Sequence, residues 1–172
     1  MLNETTINKL NKMKLTTMSR AFKEQLSNPN MAQVSFEDRF GLIVDQEWTS
    51  RKNNQLKRLI KKAKFAEIGA CVEDIEYHSD RNLEPSTIER LATCEYIHEK
   101  HNVILLGATG CGKTYIACAL GMSAVRQFMS VRYVRLPDLL TDLATMVFSL
   151  RFNKHFVPHI TCLTYHFTIL TI

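Results

Sequence analysis

The 172-residue chain contains only 6 glycines, 4 prolines and 1 tryptophan. It has no internal repeat and no low-complexity segment, so neither a repeat array nor a Pro/Gly-rich linker protein fits. No apolar run approaches the roughly 18–20 residues that cross a bilayer, and no membrane association is expected. The N-terminus reads Met1-Leu2-Asn3-Glu4-Thr5-Thr6, without a basic region leading into an apolar one. It predicts no signal peptide, and the expectation is a cytoplasmic protein. The 5 cysteines, at 71, 94, 111, 118 and 162, are odd in number and form no C-x-x-C pair, which argues against a disulfide framework. Acid is also missing from one region: after Asp142 there is no Asp or Glu.

The net charge of +5 hides a division. Residues 1–66 carry 13 Lys/Arg against 6 Asp/Glu, residues 67–100 carry 3 against 9, and residues 101–172 carry 6 against 2. A basic N-terminal part suits a polyanionic partner, or is a solvated helix face. Ile7, Leu10 and Met13, then Met18, Phe22 and Leu26, predict two short helices interrupted at 14–17. Asn28-Pro29-Asn30 predicts a turn. Ser35, with Asp38 three residues on, caps a further helix through Phe36, Phe40, Ile43, Val44 and Trp48. Arg51 to Lys64 holds seven cations and no acid over an apolar stripe of Leu56, Leu59, Ile60 and Ala63. Such a helix suits a nucleic-acid backbone or an acidic partner surface, and Lys57, Arg58, Lys61, Lys62 and Lys64 are the residues expected to meet DNA.

Residues 69–84 are acidic and irregular and read as a linker, and 86–100 reads as one helix. Asn102 to Leu106 is an uncharged run of β-formers, read as a strand buried on both faces. Then come Gly107, Ala108, Thr109, Gly110, Cys111, Gly112, Lys113 and Thr114, followed by a helical pattern over 115–129 with Ile116, Leu120, Ala124 and Phe128 at spacing four. Strand, G-x-x-x-x-G-K-T and helix together specify a phosphate loop. Its glycines let backbone N–H groups turn inward around phosphate oxygens. Lys113 is placed for the β- and γ-phosphates and Thr114 for Mg²⁺. The ligand expected is ATP with Mg²⁺. A second strand over 131–136 and a helix opened by Pro137 and Asp138, with Leu139, Leu140, Leu143 and Met146 as its apolar face, predict the start of a parallel α/β domain.

At this point the chain resembles the IstB-like helper ATPases of insertion sequences, relatives of the DnaC helicase loaders in the AAA+ class. The resemblance rests on 102–114, on Val131-Arg132-Tyr133-Val134-Arg135-Leu136-Pro137-Asp138-Leu139-Leu140, and on Met18-Ser19-Arg20-Ala21-Phe22 and Phe36-Glu37-Asp38-Arg39-Phe40 with Glu47 and Arg51. It implies a P-loop parallel sheet preceded by an all-α domain. It also implies double-stranded DNA and a transposase as partners, a homo-oligomer, and a role in transposition. Helicase loading in DNA replication, or a non-catalytic nucleotide- and DNA-binding fragment, are the alternatives.

The family pattern stops after about residue 146, as truncation or a frameshift would leave it. The acid that holds Mg²⁺ and orients water, the sensor and the arginine finger are missing, so the sheet is expected to be incomplete and hydrolysis doubtful. Residues 147–172 carry five of the fifteen aromatics and no glycine. His155, His159, Cys162 and His166 in that tail form no convincing zinc set, since neither a C-x-x-C arm nor a carboxylate accompanies them. The expected organisation is a helical basic domain over 1–68, an acidic linker over 69–84, a partial ATP-binding domain over 85–146, and an apolar tail over 147–172.

Overall fold

The computed structural model describes residues 2–78, 82–149, 160–165 and 167–171. The chain divides into two compact units, residues 1–55 and 56–172. The first is helical. Helices α1 (Leu2–Lys12) and α2 (Thr16–Ser27) are followed by a 3-10 turn at Pro29–Gln33 and by α3, which runs unbroken over Phe36–Ala63. Lys14, at φ 59°, breaks the chain between α1 and α2 as the pattern predicts. Ser35 begins α3: its Oγ accepts from the Asp38 N–H at 3.2 Å and donates to the Asp38 carboxylate at 2.8 Å.

Glu47 ties this unit together. It accepts the Met18 N–H at 2.9 Å and the Arg51 Nε–H at 2.7 Å, and Arg51 reaches the Lys14 carbonyl at 3.3 Å. Burial alone raises the Glu47 pKa, but the bonds from Arg51 and Met18 outweigh it and hold the carboxyl below its usual range.

The second unit starts within α3. Leu56, Leu59 and Ile60 pack against a core containing Ala63, Phe65, Ala70 and Ile75. The expected boundary at 68 therefore differs from the observed one. The apolar stripe beneath the basic residues packs into the second unit's core, and so does part of the segment expected as a linker. That segment also holds a short 3-10 turn, Val72–Asp74. The helix expected over 86–100 is two: α4 (Pro85–Ala92) and α5 (Glu95–His98). Between them Cys94 takes φ 63°. Thr93 Oγ1 donates to the Arg90 carbonyl at 2.8 Å and accepts from the Glu95 N–H at 3.4 Å. These local side-chain bonds compete with the helix ladder at the break.

Strand β1 (Val103–Leu106) leads to α6 (Lys113–Arg126), then β2 (Val131–Val134) and α7 (Leu136–Ser149). Strands β3 (Ile160–Tyr165) and β4 (Phe167–Thr171) complete one four-stranded sheet in the order β1-β4-β3-β2. The sheet differs from the parallel one expected. Among the described strands only β2 and β3 pair parallel, Val131 opposite Ile160, whereas β1–β4 and β3–β4 are antiparallel. One residue separates β3 from β4, and a parallel pairing needs a crossover of a dozen residues or more.

Two further expectations change. Strand β1 is not covered on both faces, since Ile104 is 57% and Leu106 67% exposed while Val103 and Leu105 pack on the core. Its burial alternates because α6 shares a core with one face only. Phe128 lies past the end of α6 at φ 63° and is exposed, not on the helix's buried side. On α7 Leu140 is exposed, and the side chains of Leu143 and Met146 lie outside the described residues. His155, His159 and His166 and the side chain of Cys162 also lie outside the described residues.

Candidate nucleotide site

Helix α6 decides where the site stands. Ile116, Ala117, Cys118, Ala119, Leu120, Met122, Ala124 and Val125 are all buried, which makes it the central helix of the second unit. Gly121 faces Phe65 so closely that a Cβ would stand 2.7 Å from the ring. At the far end of α6 Arg126 donates to Glu73 at 3.4 Å and to the Cys71 sulfur at 3.3 Å. The Cys71 thiol itself donates to Glu73, and this bond is the leading reason that the Glu73 carboxyl sits below its ordinary range. Burial pushes the Cys94 and Cys118 thiols up, so both stay protonated in the core.

The N-terminus of α6 opens onto residues 107–112. Gly110 and Gly112 take φ 84° and 86°, the left-handed region that glycine enters without strain. Gly112 is the N-cap and has no side chain to cap with. Helix geometry leaves the N–H groups of Lys113, Thr114 and Tyr115 without carbonyl partners inside the helix, whereas Ile116 already bonds the Gly112 carbonyl at 3.0 Å. Those donors and the helix dipole favour an anion at this end.

Lys113 is held over the loop. Its Nζ donates to the carbonyls of Gly107 at 2.9 Å and Ala108 at 2.6 Å, and lies 3.7 Å from the Cys111 sulfur. The eight residues expected as a phosphate site are thus brought into one loop and helix start, with the single cation inside it. Thr114 follows, half-buried in the first turn.

A cavity of about 700 Å³ lies over this loop. It falls within the roughly 300–1,000 Å³ of small-molecule sites. Leu105, Leu106 and Ile116 contribute apolar wall. Two further lining residues, His78 and Leu83, come from the segment read as a linker. Nothing in their local sequence marks them, because they reach the loop only through the tertiary fold. The loop, its uncapped helix start and a cavity of this size suit a nucleoside triphosphate. Lys113 would hold its phosphates and Thr114 a phosphate-bound Mg²⁺.

The chain matches the family described as IstB-like ATP binding protein over residues 8–156. It belongs to that family. A protein of insertion sequence IS1162 from Pseudomonas fluorescens is 41% identical over 143 residues, covering 83% of this chain and 62% of the relative. An insertion-sequence protein of Sinorhizobium fredii is 38% identical, covering 84% and 58%. A protein of IS21 from Pseudomonas aeruginosa is 25% identical, covering 78% and 50%. The names of all three provisionally assign them to ATP binding. The chain thus spans 50% to 62% of the length of these relatives. The family match runs ten residues past 146.

The five cations expected to meet DNA are all exposed. Lys57, Arg58, Lys61 and Lys62 stand on α3 as two i,i+4 pairs, away from the partly buried Leu56, Leu59 and Ile60 and the buried Ala63. Lys64 follows the helix at φ 55°.

The loop geometry yields a paired test. A Cβ on Gly107 would stand 2.7 Å from the Cys111 sulfur, so the two side chains compete for one space. Gly107→Ala is expected to weaken binding of a fluorescent ATP analogue about tenfold, and Cys111→Ala in the same chain to recover most of it. Additive losses in this double-mutant cycle would show that the two positions are not coupled.

Proposed function

We propose that this chain is an ATP-binding helper of insertion-sequence transposition, associated with DNA, that holds Mg²⁺-ATP without turning it over efficiently. The single observation that carries nucleotide binding is the Gly107–Thr114 loop, with its left-handed glycines and Lys113 at the open start of a buried helix. The insertion-sequence relatives supply the biological context and favour transposition over helicase loading. On this reading the partners are double-stranded DNA, a transposase, and further copies of the family.

Bound nucleotide would draw the Lys113 ammonium from the loop carbonyls to the phosphates. The chain's own groups then do three things. Backbone N–H groups orient the phosphate oxygens, Lys113 offsets their charge, and Thr114 offers its hydroxyl to Mg²⁺. Hydrolysis asks for more: an aligned water and an arginine against the developing charge, worth about 10³ to 10⁵ in rate. Among the described residues no acid stands at the carboxyl end of β1 or β2. Glu95 is on α5, Asp138 is in the first turn of α7, and Asp142 on α7 faces Arg132 at 3.4 Å.

Lys113→Ala is expected to weaken Mg²⁺-ATP binding at least about 30-fold, since it removes the one cation that the loop itself brings to the phosphates. Thr114→Ala is expected to lower affinity only when Mg²⁺ is present. Calorimetric titration, with phosphate release followed on the same samples, checks both. Unchanged affinity in Lys113→Ala would remove the loop reading. Ordinary ATPase turnover that depends on Lys113 would contradict the absence of a catalytic acid.

DNA binding is expected to be indifferent to sequence and to fall steeply with salt as counterion release weakens. Lys61→Glu together with Lys62→Glu should weaken binding equally on unrelated duplexes and flatten the log–log salt slope by about 2. A salt-independent affinity, or none at low salt, would leave these residues as a solvated helix face.

A further inference from the structure

The loop and α6 account for the phosphate end of a nucleotide and leave the nucleoside end unassigned. A nucleoside extending from the loop along the cavity meets its remaining described walls, Leu83, Leu105, Leu106, Ile116 and His78. Four of these are aliphatic. Among the described lining residues His78 brings the one aromatic ring, and it comes from a segment far upstream of the loop. Its Nε2 lies 3.2 Å from the Glu76 carboxylate, a contact between two largely exposed side chains on the side of its own segment. A flat π-face with aliphatic walls nearby is a surface on which a nucleobase stacks, whatever its hydrogen-bonding edge.

We propose that His78 is the nucleobase wall of this site, a ring that stacks on the base and is oriented by Glu76. The proposal rests on the phosphate-loop reading and adds a specific residue, outside the loop motif, that separates a nucleotide from a bare polyphosphate. Lys113 holds the phosphate end and His78 the base end. The ring therefore contributes to ATP affinity and contributes nothing to the affinity of inorganic tripolyphosphate.

Isothermal titration of the full chain with Mg²⁺-ATP and with Mg²⁺-tripolyphosphate separates the two ends. His78→Ala is expected to weaken ATP binding roughly 5- to 100-fold, the range of one base–aromatic stack. Tripolyphosphate binding should be unchanged, and His78→Phe, which keeps a ring, should stay within a few-fold of the parent for ATP. Lys113→Ala should lose both ligands. ATP affinity unaltered in His78→Ala would overturn the proposal. So would equal losses of ATP and tripolyphosphate, which would mean that the residue supports the fold of the site and not the base. A parent chain that binds neither ligand would refute the phosphate-loop reading itself.

Discussion

The burial of helix α6 is the constraint on which the rest of the second unit depends. Nearly every residue from Ile116 to Val125 is out of solvent, so the helix cannot rotate or slide without opening the core. Its N-terminus is thereby fixed in space, and with it the first-turn N–H groups that the glycine loop leaves uncapped. Gly121 allows the close approach of Phe65 on one side, and a Cβ there would also stand 3.4 Å from Val131. A packed, low-compressibility core holds a binding loop at its rim more firmly than the loop's own sequence could. On the proposed reading, apolar burial along α6 preorganises the phosphate donors at its start.

Charge is distributed by a different logic. The last two turns of α3 pack an apolar stripe against the core and leave their cations in solvent, so that one helix serves both packing and a basic face. The acidic segment that follows is not idle spacing. Ala70 and Ile75 are buried in the same core, Glu73 reaches Arg126, and His78 arrives at the cavity. Hydrophobic anchors at 70 and 75 explain how a segment with little regular structure can hold a ring beside the loop.

What was legible in the sequence was local. The spacing of Gly107, Gly110, Gly112, Lys113 and Thr114 is read within eight residues, and the helix after it declares itself through apolar residues at spacing four. The break between α1 and α2, the Ser35 cap and the basic outer face of α3 follow from neighbours within one or two turns. What was not legible depends on long-range placement. No periodicity says that β3 and β4 lie between β1 and β2, or that Ile104 and Leu106 face outward. The break at Cys94 is accompanied by the Thr93 side-chain bonds, local bonding that a pattern of apolar residues does not register. His78 and Leu83 carry no motif, and only the fold brings them to the loop.

On the proposed reading, backbone N–H groups of the loop and of the first turn of α6 receive the phosphates. Hydrogen–deuterium exchange of the isolated chain, with and without Mg²⁺-ATP, tests it at the atoms concerned. Nucleotide is expected to slow exchange of amides between 108 and 115 and to leave the already buried middle of α6 unchanged. Exchange in that stretch that is indifferent to saturating nucleotide, with protection arising elsewhere in the chain, would contradict it.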